Sequence, residues 1–240
     1  LLPRFFAASN AGVRCAIRCN GMKFNFLFLL GYIDPLLAGL ALTLKLTVGA
    51  SIAGIVLGFI ASLLRTYGSA PVRALAAGYV ELFRGTPLLV QLFWFFFCLP
   101  LLLHVDVGIV AASLTALSLY MGAITCETFR GSLALIRKEE LDACVALGLG
   151  RMTRIVHVIL PLTFVRAMPP LLSNIVSLFK ESALVSALGM ADLMFVGQNI
   201  ANTSARPVEV LTTTALIYFV VAFPLTRCVG RIERKVLKRF

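Results

Sequence analysis

In an apolar run covering about residues 167–191, the adjacent pair Lys180 and Glu181 stands out chemically. Charged side chains inside such a run face a bundle interior or a water-filled path, where they pair or meet a polar solute. A structural ion pair between helices, or a lysine reaching toward the surface, would leave the same trace in sequence. Asn174 lies six residues before Lys180, so an ideal helix points the two in roughly opposite directions; Ser177 and Glu181 share the face of Asn174. Glu127 and Arg130, three apart at the end of another apolar run, are spaced to pair on one helical face.

Hydrolytic or redox machinery is missing from the chain. No G-x-x-x-x-G-K-[ST] loop is present to cradle a nucleotide, and there is neither an H-E-x-x-H nor a G-x-S-x-G arrangement. The two histidines, His104 and His157, fall on opposite sides of the predicted membrane. Of the six cysteines, Cys98, Cys126, Cys144 and Cys228 lie in or beside apolar segments as small hydrophobes, and Cys15 with Cys19 forms a lone C-x-x-x-C, a poor metal site. These features disfavour an enzyme acting alone and give no metal or cofactor site.

The elements that must position those side chains follow from composition. The chain has 240 residues, 60% hydrophobic and 14% charged, with mean hydropathy +0.95. Soluble domains carry about a quarter charged residues, so this is a membrane-protein composition. A bilayer core of about 30 Å needs roughly 20 apolar residues per helix. Five spans meet that need: about 46–64, starting near Leu37, then about 85–103, 107–126, 167–191 and 210–226. Residues 22–36 read as an interfacial lead-in, because Asp34-Pro35 would otherwise sit mid-membrane. No internal repeat is visible.

The net charge of +11 follows topology rather than nucleic-acid binding, since the basic residues lie between and after apolar runs. Arg65, Arg73 and Arg84 separate spans one and two. Arg130, Arg137, Lys138, Arg151, Arg154 and Arg166 fall between spans three and four, and a basic tail follows from residue 232. The opposite loops hold only Arg206. The positive-inside rule therefore predicts a cytoplasmic C-terminus and, with five spans, an external N-terminus. Arg4, Arg14 and Arg18 disagree with that side. Because Met22-Lys23-Phe24 reads as an ordinary start, residues 1–21 are expected to be an upstream extension.

Between spans three and four stands DACVALGLGRMTRIVHVILP, residues 142–161. Residues 138–147 favour helix with acidic residues early, Gly148 and Gly150 permit a sharp turn, and residues 151–160 resume helical spacing. Ile155, Val158 and Ile159 share one face and Arg151 and Arg154 another, with Pro161 expected to close the unit. The residues fit equally a helix pair on lipid headgroups and a protein-docking knob.

This stretch resembles the E-A-A-x-x-x-G…I-x-L-P loop of ABC-importer permeases. Asp142, Ala143 and Cys144 stand at E-A-A, Gly148 at the glycine, and Val158, Leu160 and Pro161 at the end, with Asp, Cys and Val departing from the pattern. Phe83-Arg84-Gly85-Thr86-Pro87 through Gln91 is similar to the F-R-G-T-P-L-L-V-Q signature of polar amino acid permeases. In bare physical terms Gly85 and Pro87 mark a helix start, with Thr86 available to cap it. Residues 120–133 and 169–189 resemble two further segments, and the resemblance covers about residues 37–231.

It implies an all-α, type I permease subunit in a bacterial cytoplasmic membrane. The implied partners are a sister or identical permease, two cytoplasmic ATPase subunits holding ATP and Mg, and an extracytoplasmic binding protein. Residues 138–161 would form the coupling loop, with Asp142, Ala143, Cys144, Gly148, Arg151, Arg154, Leu160 and Pro161 as its expected contacts and bends. Glu127, Asn174, Lys180 and Glu181 would line the path or tie helices. A stand-alone carrier or channel is the alternative; the lack of an inverted repeat argues against common carrier folds.

Overall fold

The computed structural model describes residues 26–237 apart from Val105. The expected extension over residues 1–21, the first residues of the lead-in and the last three of the basic tail lie outside them. A 3-10 segment, Phe26–Tyr32, leads into α1, Ile33–Tyr67. Asp34 and Pro35 occupy the first turn of α1, where an acidic residue suits the dipole and a proline costs no hydrogen bond. Then follow α2 (Ala70–Gly85), α3 (Leu88–Leu103), α4 (Ile109–Ala134) and the short α5 (Lys138–Ala146). Next comes α6, made of Arg151–Arg154, Ile155–Ile159 and Leu160–Glu181 without a break, and continued by a 3-10 segment, Ser182–Leu188. Two helices finish the chain, α7 (Leu193–Ser204) and α8 (Pro207–Leu237).

Among the described residues, four helical stretches are long and apolar enough to cross a membrane: Ile33–Tyr67, Ile109–Ala134, Met152–Leu188 and Pro207–Arg234. The bent pair α2 and α3, meeting at 107°, supplies a fifth crossing if it is counted as one. This agrees with the expected five.

Packing is inverted relative to a soluble bundle. On α1 the inward stripe is small: Gly39, Thr43, Thr47, Ala50, Gly54, Gly58 and Ala61 are buried, while Leu37, Val48, Ile52 and Ile60 point outward. Lipid is as apolar as leucine, so large side chains gain nothing by turning inward, whereas small ones let backbones approach closely. Gly54 and Gly58 form a G-x-x-x-G pair against Gly122 of α4. A Cβ on Gly54 would stand 2.6 Å from the Met121 side chain, and one on Gly58 would stand 2.6 Å from the carbonyl oxygen of Gly122. Around this seam Leu46, Leu88, Leu92, Leu117, Met121 and Leu178 build the main core from α1, α3, α4 and α6.

A second cluster joins Leu36 of α1 to Leu193 and Ile200 of α7 and Val210 of α8. Here the backbone of Asp192 and Leu193 lies against Gly39, and the Leu193 N–H donates to Thr43 Oγ1 at 3.1 Å. Asp192 caps α7 by accepting from the N–H groups of Phe195 and Met194.

Two helices carry a π-turn directly before a Leu-Pro pair: Trp94–Cys98 before Leu99-Pro100, and Ile155–Ile159 before Leu160-Pro161. In each, the leucine N–H reaches back five residues, Leu99 to Trp94 O and Leu160 to Ile155 O. The wider turn removes the collision a proline ring makes with the carbonyl four residues earlier. Pro161 therefore does not close a short helix, as its sequence context suggested. The helix passes through it into the fourth span, and Ile155, Val158 and Ile159 stay half-buried together while Val156 and His157 between them are exposed.

Replacing Gly58 with alanine should cost about 1–3 kcal/mol through overpacking of the α1–α4 seam. Gly78→Ala, in open space on α2, should be neutral or slightly stabilising. Reversible unfolding in mixed detergent micelles measures both, and equal midpoints would contradict the seam.

Candidate functional site

The F-R-G-T-P stretch forms the 107° elbow between α2 and α3. Pro87 holds Thr86 in an extended conformation (φ −107°, ψ 143°) and is itself the residue preceding α3. Thr86 is thus one position too early to cap α3, contrary to the sequence expectation. Its hydroxyl donates instead to Leu82 O at 2.8 Å. Gln91, buried on the first turn of α3, satisfies the elbow: Nε2 reaches Phe83 O at 2.8 Å, Thr86 O at 3.1 Å and Thr86 Oγ1 at 2.8 Å. The broken backbone is thereby paired inside the protein, as a bilayer requires. Phe83 packs on Tyr79, and Gly85 closes α2 with open space around it.

One carboxylate gathers the arginines at one end of the bundle. Glu127 on α4 pairs with Arg65 of α1 through Oε1, with Arg130 at 3.4 Å through Oε2, and with Arg84 of α2 at 4.0 Å. The i, i+3 pairing with Arg130 was legible in sequence. The contact with Arg65, 62 residues away, left no periodic signal. Arg65 is mostly buried, so its guanidinium depends on this partner, whereas Arg84 and Arg130 are half exposed. Glu127 also lines a cavity of about 720 Å³ together with Thr128, Arg137, Arg166, Pro169 and Glu233.

Beside this cluster and further along the bundle, α6 faces α4 through two polar rungs. Asn174 Nδ2 donates to Thr128 Oγ1 at 2.9 Å. Glu181, seven residues on, lies beside Tyr120, eight residues before Thr128. Asn174 and Glu181 thus share a face, and Lys180 turns the other way, lining cavities against α8 with Thr214, Tyr218 and Thr226. The spacing anticipated the opposed directions of Asn174 and Lys180, but Ser177, expected on the face of Asn174, lines the cavity with Lys180 and Thr226 instead. Tyr120 and Thr128, the partners on α4, were missed because hydroxyls in an apolar helix carry no pattern of their own.

Residues 138–161 are built around a glycine turn. α5 closes with Leu149 N–H bonded to Cys144 O at 3.1 Å and Gly148 N–H to Val145 O at 2.9 Å, with Gly148 at φ +67°. That pair of bonds and the left-handed residue form a Schellman motif. Asp142 and Ala143 are exposed, but Cys144 is buried, which removes it from the outer surface where the sequence comparison had placed it. Val145, Leu147 and Met152 instead present large apolar side chains outward, Leu147 at 76% exposure. Backbone continuity carries Arg151, Arg154, Leu160 and Pro161 on the stem of α6.

Gln91→Leu strips the elbow carbonyls of their donor and should lower stability by about 1–3 kcal/mol. Gln91→Glu should cost more, since a carboxylate would then face two carbonyl oxygens. Unfolding midpoints in micelles rank the two, and the reverse order would refute the assigned bonding.

Residues 54–238 match the family described as binding-protein-dependent transport system inner membrane component. The arginine transport system permease protein ArtQ of Bacillus subtilis is 34% identical, over 90% of this chain and 98% of its own length. The glutamine transport system permease protein GlnP of Escherichia coli is 31% identical, over 90% and 99%. A crystal structure of an amino acid ABC transporter with histidines superimposes with a TM-score of 0.84 at 29% identity, over 89% of this chain and all of that one. The MetNI methionine ABC transporter, in an inward-facing conformation, shares the fold at 0.72 and 19% identity, over 85% and 97%. The helical architecture and the matched region agree, and the chain belongs to the family of binding-protein-dependent transport system inner membrane components.

Proposed function

We propose that this chain is the transmembrane permease subunit of an ATP-driven importer for polar amino acids, seated in a bacterial cytoplasmic membrane. The observation that carries the reading is the knob at residues 138–161. A glycine-turned protrusion with outward Val145, Leu147 and Met152 leads without a break into the fourth span. Exposed leucine and methionine on a protrusion suit a groove in a partner protein. The family relation and the names of the relatives support an ATPase subunit as that partner and amino acids as the solute.

In this reading the arginine-rich end is cytoplasmic. ATP and Mg are held by two ATPase subunits, a second permease copy or a sister completes the membrane unit, and an extracytoplasmic binding protein delivers the solute. Nucleotide-driven closure of the ATPase pair biases a two-state bundle between outward and inward arrangements through contacts that differ between the states. Asn174, Glu181 and Lys180 give the helix bundle polar groups of the kind a zwitterion's charged ends need.

Vesicles containing the permease, an ATPase subunit and the binding protein test this directly. Uptake should require all three and ATP; uptake by the permease alone would establish the carrier reading instead. Leu147→Glu should weaken retention of the ATPase subunit about tenfold or more without changing the permease's unfolding midpoint, as expected for an exposed anchor residue. Undiminished retention would remove Leu147 from the docking surface.

A further inference from the structure

Arg166 sits on α6 with its side chain only 9% exposed, where three elements meet. Nη2 pairs with Glu140 Oε1 of α5 at 2.8 Å, and Nη1 donates to Leu135 O, at the end of α4, at 2.6 Å. Glu140 also accepts from the Arg137 N–H at 3.1 Å, which closes the first turn of α5. Leu135 O is one of the last carbonyls of a helix and has no later turn to receive it. The planar guanidinium fork holds both acceptors at fixed angles, which a single ammonium cannot do.

We propose that Arg166 is a pin that fixes α5 to the third and fourth spans, so that displacement of the coupling knob is delivered to α4 and α6 together. This rests on the coupling role given above to residues 138–161. Apart from the pin, the chain joins the knob to those spans at residues 135–137 and 147–150, both turns. A Cβ on Gly148 would meet nothing, so that turn is held by its two backbone hydrogen bonds and not by side-chain packing there. A displaced α5 could then rotate about its two ends and lose the stroke. Arg166 is a positioning residue: it contacts neither solute nor nucleotide in this scheme but sets how rigidly one moving part holds another.

The quantity that separates a pin from a generic stabilising contact is ATP hydrolysed per amino acid imported, measured in vesicles carrying the complete importer. Arg166→Met should raise that ratio about tenfold, and Glu140→Ala by about two- to threefold because the Leu135 bond remains. The double variant should be no worse than Arg166→Met alone, since both changes remove the same connection. An unchanged ratio in the assembled Arg166→Met importer would overturn the pin. So would a double variant whose ratio is the product of the two singles. Should Arg166→Met fail to assemble, Arg166→Lys takes its place in the same cycle. It keeps the charge and loses the fork, and additivity with Glu140→Ala again overturns the proposal. A wild-type importer that moves amino acid without hydrolysis would instead refute the ATP-driven reading, leaving the two failures distinct.

Discussion

The close approach of α1 and α4 is the contact on which the remaining structure depends. It exists because Gly54, Gly58 and Gly122 present no side chain where the two backbones meet. With water absent there is no hydrophobic force to press helices together inside a bilayer, so association rests on dispersion between well-fitted surfaces and on buried polar bonds. Several other elements are arranged on α4, while α7 and α8 form their own cluster with the start of α1. Residues of α3 and α6 fill the core beside the seam. The carboxylate of Glu127 draws α1 and α2 to α4 at one end, Thr128 beside it meets α6, and Tyr120 does so about two turns away.

The polar interactions fall into two kinds with different energetic logic. Gln91 repairs a broken backbone: its amide serves carbonyls that α2 leaves open at the elbow, so its value is the penalty avoided rather than a bond gained. The arginine contacts tie together elements far apart in sequence. Arg65 and Arg166 are largely withdrawn from solvent, and each has an acidic partner on a different helix. Buried pairs of this kind add little net stability but are costly to break, which makes them suited to fixing one arrangement of helices.

Much of this was legible in the sequence. Apolar run lengths anticipated the spans, and the i, i+3 spacing of Glu127 and Arg130, like the opposed directions of Asn174 and Lys180, needed only helical geometry. The sequence was misleading where proline was read by its usual effect. Pro161 was expected to end a helix, but a π-turn upstream accommodates its ring. Thr86 was expected to cap α3, but Pro87 shifts the first position of that helix by one. The burial of Cys144 was hidden because a nine-residue helix with weak amphipathy does not announce its inward face. Arg166 and Glu140, 26 residues apart, share no repeat or motif that would join them.

The two π-turns bear on how these helices are phased. In an α-helix each residue advances the side-chain direction by about 100°. A π-turn is an α-helix that has taken in one extra residue without breaking. The extra residue is taken up inside the turn, so its five residues advance the helix by about what four do in an α-helix. Removing one residue from Trp94–Cys98 or from Ile155–Ile159 would therefore leave everything beyond in nearly the same angular phase. What it would bring back is the collision between the proline ring and the carbonyl four residues earlier. On α6 the π-turn at residues 155–159 thus lets a proline sit in the stem while the faces that carry Asn174 and Glu181 keep their register with the glycine turn. A one-residue change at this turn is the length change the helix can absorb.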